Sequence, residues 1–250
     1  PAPAVGDAAG SGQNLRPALQ ARRLLAPPGA QSGLSGALFP TGSAPIHRKA
    51  LRMRRGHVIL FVKAPRLGAV KTRLGVEIGA PAAWRFYNTM LARLWRRLGH
   101  DRRWQTHLAV SPARGAARWP PGLPRQGQGR GDLGRRMARA MRGHGGPVVL
   151  VGGDIPDLKG HHIAQAMRSL RRADVVFGPA ADGGFWLVGL RHGQRGRDGA
   201  RLFKGVRWSS PHALADSLAN LSGTARVALL ETLSDVDTPA DYAAYLAGQS

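Results

Sequence analysis

Residues 148–158 read Val-Val-Leu-Val-Gly-Gly-Asp-Ile-Pro-Asp-Leu, and this stretch decides the fold class. A short apolar run closed by two glycines fits a fully buried central strand. Strands of that kind belong to mainly parallel sheets covered on both faces. Open α/β sheets hold their ligands beyond the C-terminal ends of the strands, so Asp154 and Asp157, just past the glycines, fall at the mouth of a candidate site.

The flanking segments agree. Trp84, Tyr87, Met90, Leu91, Leu94, Trp95 and Leu98 recur at helical spacing and predict a helix over 80–98, stopped by Gly99. Further strands are expected at 57–62, 106–110, 174–178, 185–190 and 226–231. Helices are expected at 132–142, 161–172, 211–221 and 238–246, the last with Asp237 as N-cap. Alternating strands and helices imply an α/β fold, a mainly parallel sheet with helices on both faces. Residues 111–131, rich in Pro, Gly and Arg, read as one irregular loop. Residues 1–52 are dominated by Pro, Ala, Gly and Ser, with only a short helical stretch around 15–25, and read as a disordered low-complexity extension. The first firm strand follows Met53, which this reading takes as the natural start, leaving 53–250 as a single domain.

Composition narrows the chemistry. The 250 residues are 43% hydrophobic, enough for a real core. The absence of cysteine excludes disulfides, thiolate metal sites and a cysteine nucleophile. No apolar run reaches the roughly 20 residues of a membrane span and the N-terminal residues lack a signal-type apolar core, so a cytoplasmic protein is expected. The formal charge of +23 raises nucleic-acid binding as a third, non-enzymatic reading. The basic residues are dispersed along several helices rather than interleaved with aromatics, which argues against it.

Two tempting signatures fail on context. Gly129-x-Gly131-x-x-Gly134 matches a dinucleotide pattern, but Pro120, Pro121 and Pro124 stand where a strand is required; Gly68 to Thr72 lacks the glycine that a phosphate loop places before its lysine. His161-His162 has no third ligand nearby in sequence. The segment 63–73 is stronger. Lys63, Arg66, Lys71 and Arg73 follow the first strand and suit a nucleotide diphosphate, with Gly68 letting the backbone approach the phosphates, although an arginine-rich surface loop would look the same. Asp154 and Asp157 read either as helix caps or as a carboxylate pair sharing Mg²⁺ or Mn²⁺ with phosphates. A second acidic cluster, Asp235-Val-Asp237, follows the last strand. Asp182 before Gly183-Gly184 reads as a tight turn or as a general base beside an acceptor.

Taken in order, FVKAPRLGAVKTRL at 61–74, GDLGRRM at 131–137, GDIPDL at 153–158, GPAADGGFWLVGL at 178–190 and DVDTP at 235–239 resemble a bacterial family. Its members are described as glycosyltransferase-like proteins associated with radical SAM and selenoprotein domains, also catalogued as a domain of unknown function. The resemblance runs from about Val58 to Tyr242. It implies a GT-A type fold of the nucleotide-diphospho-sugar transferase superfamily, with phospholactate and molybdenum-cofactor guanylyltransferases as more distant relatives. It also implies a phosphate-facing loop at Lys63, Arg66, Lys71 and Arg73, a nucleotide-side motif at Asp132 and Arg136, and metal ligands at Asp154 and Asp237. Leu67, Ala181 and Arg135 depart from residues usual in the family.

The expected activity is therefore a transferase using Mg²⁺ or Mn²⁺, a nucleotide or nucleotide-sugar donor and a small-molecule acceptor. Asp157 or Asp182 would serve the acceptor. Nucleotidyl transfer from a nucleoside triphosphate to a phosphorylated small molecule, releasing pyrophosphate, is the alternative.

Overall fold

In the computed structural model, residues 24–25, 55–114, 117, 119–193 and 200–247 are described. The strands are β1 (Leu24–Leu25), β2 (Gly56–Lys63), β3 (Trp104–Ser111), β4 (Arg125–Gly127), β5 (Val148–Gly152), β6 (Val175–Pro179), β7 (Phe185–Leu190) and β8 (Val227–Leu229). The helices are α1 (Thr72–Ile78), α2 (Ala80–Leu98), α3 (Leu133–Met141), α4 (Gly160–Ser169), α5 (Ala213–Ala219) and α6 (Pro239–Ala247). One sheet orders the strands β1-β8-β6-β7-β5-β2-β3-β4. All pairings are parallel except those of β7 with β5 and β6.

The Val148–Gly152 run lies inside that sheet, between β2 and β7. Its alternate side chains serve two cores. Val149 and Val151 pack with Leu91, Leu94 and Leu98 of α2 and Ile163 of α4, whereas Val148 and Leu150 pack with Met137 and Met141 of α3 and Leu214 of α5. Both faces are therefore dry, which explains why β5 carries no polar alternation. The expected α/β class and its mixed, mainly parallel sheet are observed.

Three elements differ from the sequence reading. The segment read as a loop through residue 73 turns helical at Thr72, with Lys71 in the left-handed region at φ 48° as N-cap of α1. Residues 125–127 form an edge strand on β3, inside the segment read as irregular. Leu24–Leu25, within the extension read as disordered and at the end of the helical stretch expected around 15–25, pairs instead with Val227 and Ala228 as an edge strand; the rest of 1–54 lies outside the described residues. Two caps also move. Asp241 Oδ2 accepts from the backbone N–H of Asp237 and Thr238, and Thr238 Oγ1 accepts from Asp241, so Thr238 rather than Asp237 starts the last helix. Asp157 is exposed, and the N-cap of α4 is instead Lys159, whose N–H donates to His162 Nδ1 at 3.0 Å. Among the described residues no helix is long and apolar enough to cross a membrane.

Candidate active site

The C-terminal ends of β2 and β5 open into a cavity of about 300 Å³ lined by Lys63, Lys71, Tyr87, Gln128, Arg136, Asp154 and Asp237 among others. A second cavity of about 230 Å³ adjoins it and is lined by Asp154, Asp182, Trp208, Ser210 and Asp235. Asp154 belongs to both. The chain returns to this point through the segment after β8, where Leu233 N–H donates to Pro179 O and Val236 N–H donates to Asp154 O at 3.4 Å. That run brings Asp235 and Asp237 to Asp154, and one carboxylate oxygen of each lies within 4.8 Å of the others.

Lys71 reaches into the cluster. Its side chain is 3% exposed, and Nζ lies 3.2 Å from Asp154 Oδ2 and 2.5 Å from Asp237 Oδ1. Burial disfavours the ammonium, but the two carboxylates outweigh it and hold the Lys71 pKa above the ordinary lysine value. Burial, then the charges of Asp154 and Asp237, push the Asp235 carboxyl up to about 6. Beneath the cleft, the Tyr87 hydroxyl accepts from Lys63 N–H at 3.1 Å and donates to Lys63 O at 3.0 Å, fixing the end of β2. Burial, followed by the charge of Asp154, raises the Tyr87 pKa, so it stays a phenol.

The cationic wall is built by Gln128. This buried amide donates to Val62 O and Ala109 O, both at 3.0 Å, tying β2 to β3. Its Oε1 accepts from Arg136 Nη1 at 3.0 Å. Arg136 Nε is buried without a hydrogen-bond partner. An unpaired buried guanidinium N–H is costly unless a ligand oxygen completes it. Asp132 caps α3 by accepting from Arg135 N–H at 2.7 Å.

Residues 94–210 match a family model described as an uncharacterized protein conserved in bacteria (DUF2064). A crystal structure from Desulfovibrio desulfuricans G20, named as a provisional nucleotide-diphospho-sugar transferase, is 30% identical with a TM-score of 0.65; the match covers 74% of this chain and 84% of that one. The chain belongs to the DUF2064 family. Two other solved structures are less similar to this DUF2064 protein. One is Rv0371c of Mycobacterium tuberculosis H37Rv, crystallised with manganese: 18% identical, TM-score 0.48, covering 77% of this chain and 98% of that one. The other is a 4-diphosphocytidyl-2C-methyl-D-erythritol synthase of Anaerococcus prevotii: 9% identical, TM-score 0.49, covering 77% and 96%. No curated protein sequence matches significantly.

In this DUF2064 chain the expected residues separate. Lys63, Lys71, Arg136, Asp154 and Asp237 share the first cavity, and Asp182 joins Asp154 in the second. Arg66, Gly68 and Arg73 are exposed outside the lining of both, and Asp157 is likewise outside them. Asp132 faces a separate cavity with Arg135 and Lys204. Lys71 bridges carboxylates instead of standing in an open phosphate loop. Gln128 and Tyr87 were not legible as site residues, because a lone amide and a helix-face tyrosine carry no spacing signal. The strand required before Gly129 does exist as β4, but only as a three-residue exposed edge.

The turn carrying Asp182 is tightly built. Asp182 Oδ1 accepts from Gly184 N–H at 2.9 Å, and Gly183 has φ 83°. A Cβ on Gly183 would lie 2.3 Å from Pro211 O and 2.6 Å from Pro211 Cα, backbone atoms that cannot swing aside. Gly183→Ala is expected to cost about 3 kcal/mol, or roughly 6–12 °C of melting temperature. A calorimetric scan reads this; an unchanged midpoint would show that the turn can relax.

Proposed function

We propose that this chain transfers a glycosyl group from a nucleoside-diphosphate sugar to a hydroxyl of a small molecule, with Mg²⁺ or Mn²⁺ held by Asp154, Asp237 and Asp235. The observation that carries this reading is the meeting of Asp154 and Asp237 with Lys63, Lys71 and Arg136 in one cavity at the C-terminal edge of the sheet, with Asp235 beside them in the adjoining cavity. An all-oxygen, acidic donor set suits a hard cation shared with phosphate oxygens. The orphaned Arg136 Nε suits a phosphate or ribose oxygen as its missing acceptor.

When bound, the cation supplies Lewis-acid stabilisation of the departing diphosphate. The chain's own groups do the rest. Arg136, held by Gln128, and Lys63 offset phosphate charge on the first cavity's side. Asp182, across Asp154 in the second cavity, keeps Oδ2 free of the Gly184 contact and takes the proton of the acceptor hydroxyl. The bond from the anomeric carbon to the diphosphate oxygen breaks, the bond to the acceptor oxygen forms, and the nucleoside diphosphate leaves.

A thermal-shift panel of nucleotide sugars and nucleoside triphosphates with Mg²⁺ and Mn²⁺ tests the donor, since ligands selective for the folded state raise its melting point. The ligand found is then used in turnover assays with hydroxylated acceptors. Metal-dependent release of nucleoside diphosphate is expected. Release of pyrophosphate from a triphosphate would replace glycosyl by nucleotidyl transfer. Salt-sensitive nucleic-acid binding without any metal-dependent nucleotide affinity would overturn both.

A further inference from the structure

At the opposite end of the sheet three histidines converge. His57 is the second residue of β2, and His107 lies on β3 opposite Ile59. Both belong to the sheet face covered by α3, as Ile59 and Ala109 do. His144 comes from the connection between α3 and β5, which enters the sheet at the N-terminal ends of its strands. The six residues from His57 to Lys63 put this cluster about 20 Å from the carboxylates.

The three rings present one nitrogen each, all within 4.8 Å of one another. His57 Nδ1 and His107 Nε2 are 3.0 Å apart, near the roughly 3.3 Å edge of a tetrahedron whose metal–nitrogen bonds are about 2.0 Å. His144 Nε2 lies 3.2 Å from Ala140 O, a carbonyl that also accepts from Gln126 Nε2. With its proton directed to that carbonyl, His144 carries its lone pair on Nδ1. A backbone carbonyl on the distal nitrogen is the usual support for a metal-bound imidazole.

From this geometry we infer that His57, His107 and His144 form a second metal site, specific for Zn²⁺ or a similar imidazole-preferring divalent ion and separate from the carboxylate site. Its donors are all nitrogen, so it discriminates against Mg²⁺, which the carboxylates favour. Three protein ligands leave the fourth position to water or an external ligand. His57 Nδ1 and His107 Nε2 share one proton in a hydrogen bond, and a metal ion entering the cluster takes that proton's place.

In the other histidine cluster both ring nitrogens of His162 are already engaged. The buried His162 accepts from Lys159 N–H at Nδ1, so its Nε2 carries the proton and donates to Glu231 at 3.1 Å. Glu231 is the third group that the sequence did not reveal, but it completes a hydrogen-bonded pair.

The test uses the full chain without a polyhistidine tag, stripped with EDTA and titrated with Co²⁺ and then Zn²⁺. One equivalent of Co²⁺ with intense tetrahedral absorption, displaced by Zn²⁺ and unaffected by Mg²⁺, is expected. His144→Gln, on a connecting loop, and the double variant His57→Gln/His107→Gln should each lose at least tenfold in Zn²⁺ affinity. His161→Gln and Asp154→Asn should bind Zn²⁺ as the parent chain does. Zn²⁺ binding unchanged in both His57/His107/His144 variants, loss in His161→Gln, or only weak octahedral Co²⁺ absorption would overturn the site. Because Asp154→Asn disables the proposed transfer, retained Zn²⁺ binding there separates this inference from that function.

Discussion

Asp154→Asn is expected to lower kcat of the metal-dependent transfer about a hundred- to a thousandfold, the scale lost when one preorganised electrostatic group is removed from a reacting centre. Asp154 alone lines both cavities among the three clustered carboxylates, so it stands between donor and acceptor. The substitution keeps the side-chain volume and removes the charge. Lys71 retains Asp237 at 2.5 Å, and Asp154 is more than a third exposed, so the melting temperature should move by only a few degrees. Steady-state turnover at saturating Mn²⁺, beside a thermal melt, separates the two effects. Turnover within threefold of the parent chain would remove Asp154 from the reaction.

What the sequence revealed depended on how strongly each segment constrained its own structure. Ala80–Leu98 was legible to the residue, because seven large apolar side chains repeat at helical spacing and Gly99 ends the run. Phe185–Leu190 was equally plain, since five of its six residues are buried between β5 and β6. α1 escaped because only Leu74 among its seven residues is buried, and its cations resemble a loop. β4 escaped because all three of its residues are exposed and its identity comes from pairing with β3. The same distinction holds for the site. The family resemblance pointed to Asp154 and Asp237, but no spacing could reveal that Lys71 bridges them, across 83 and 166 residues. Nor could it show that Gln128 buries its amide to hold Arg136.

That bridge yields the second large effect. The Lys71 ammonium and a hard cation draw on the same carboxylate oxygens, so each should weaken the other. Lys71→Met keeps the stem that packs in the cleft and removes the charge; the left-handed backbone at residue 71 is no worse for methionine than for lysine. Without metal, the variant leaves Asp154, Asp235 and Asp237 facing one another uncompensated. Breaking a fully buried pair costs about 3–5 kcal/mol. Here the Asp154 and Asp237 side chains are 37% and 44% exposed, which reduces the expected loss to about 1–3 kcal/mol. Added Mg²⁺ should restore it, because a cation at a hundred times its dissociation constant contributes about 2.7 kcal/mol to the folded state. The expected result is a melting temperature roughly 3–10 °C below the parent in EDTA, largely recovered in Mg²⁺, while the parent itself responds weakly to the metal. Equal Mg²⁺ responses in the two proteins would show that the lysine and the cation use different oxygens. A tighter metal site with lower turnover would instead assign Lys71 a share in the phosphate chemistry, as the countercharge that moves from carboxylate to substrate when the metal arrives.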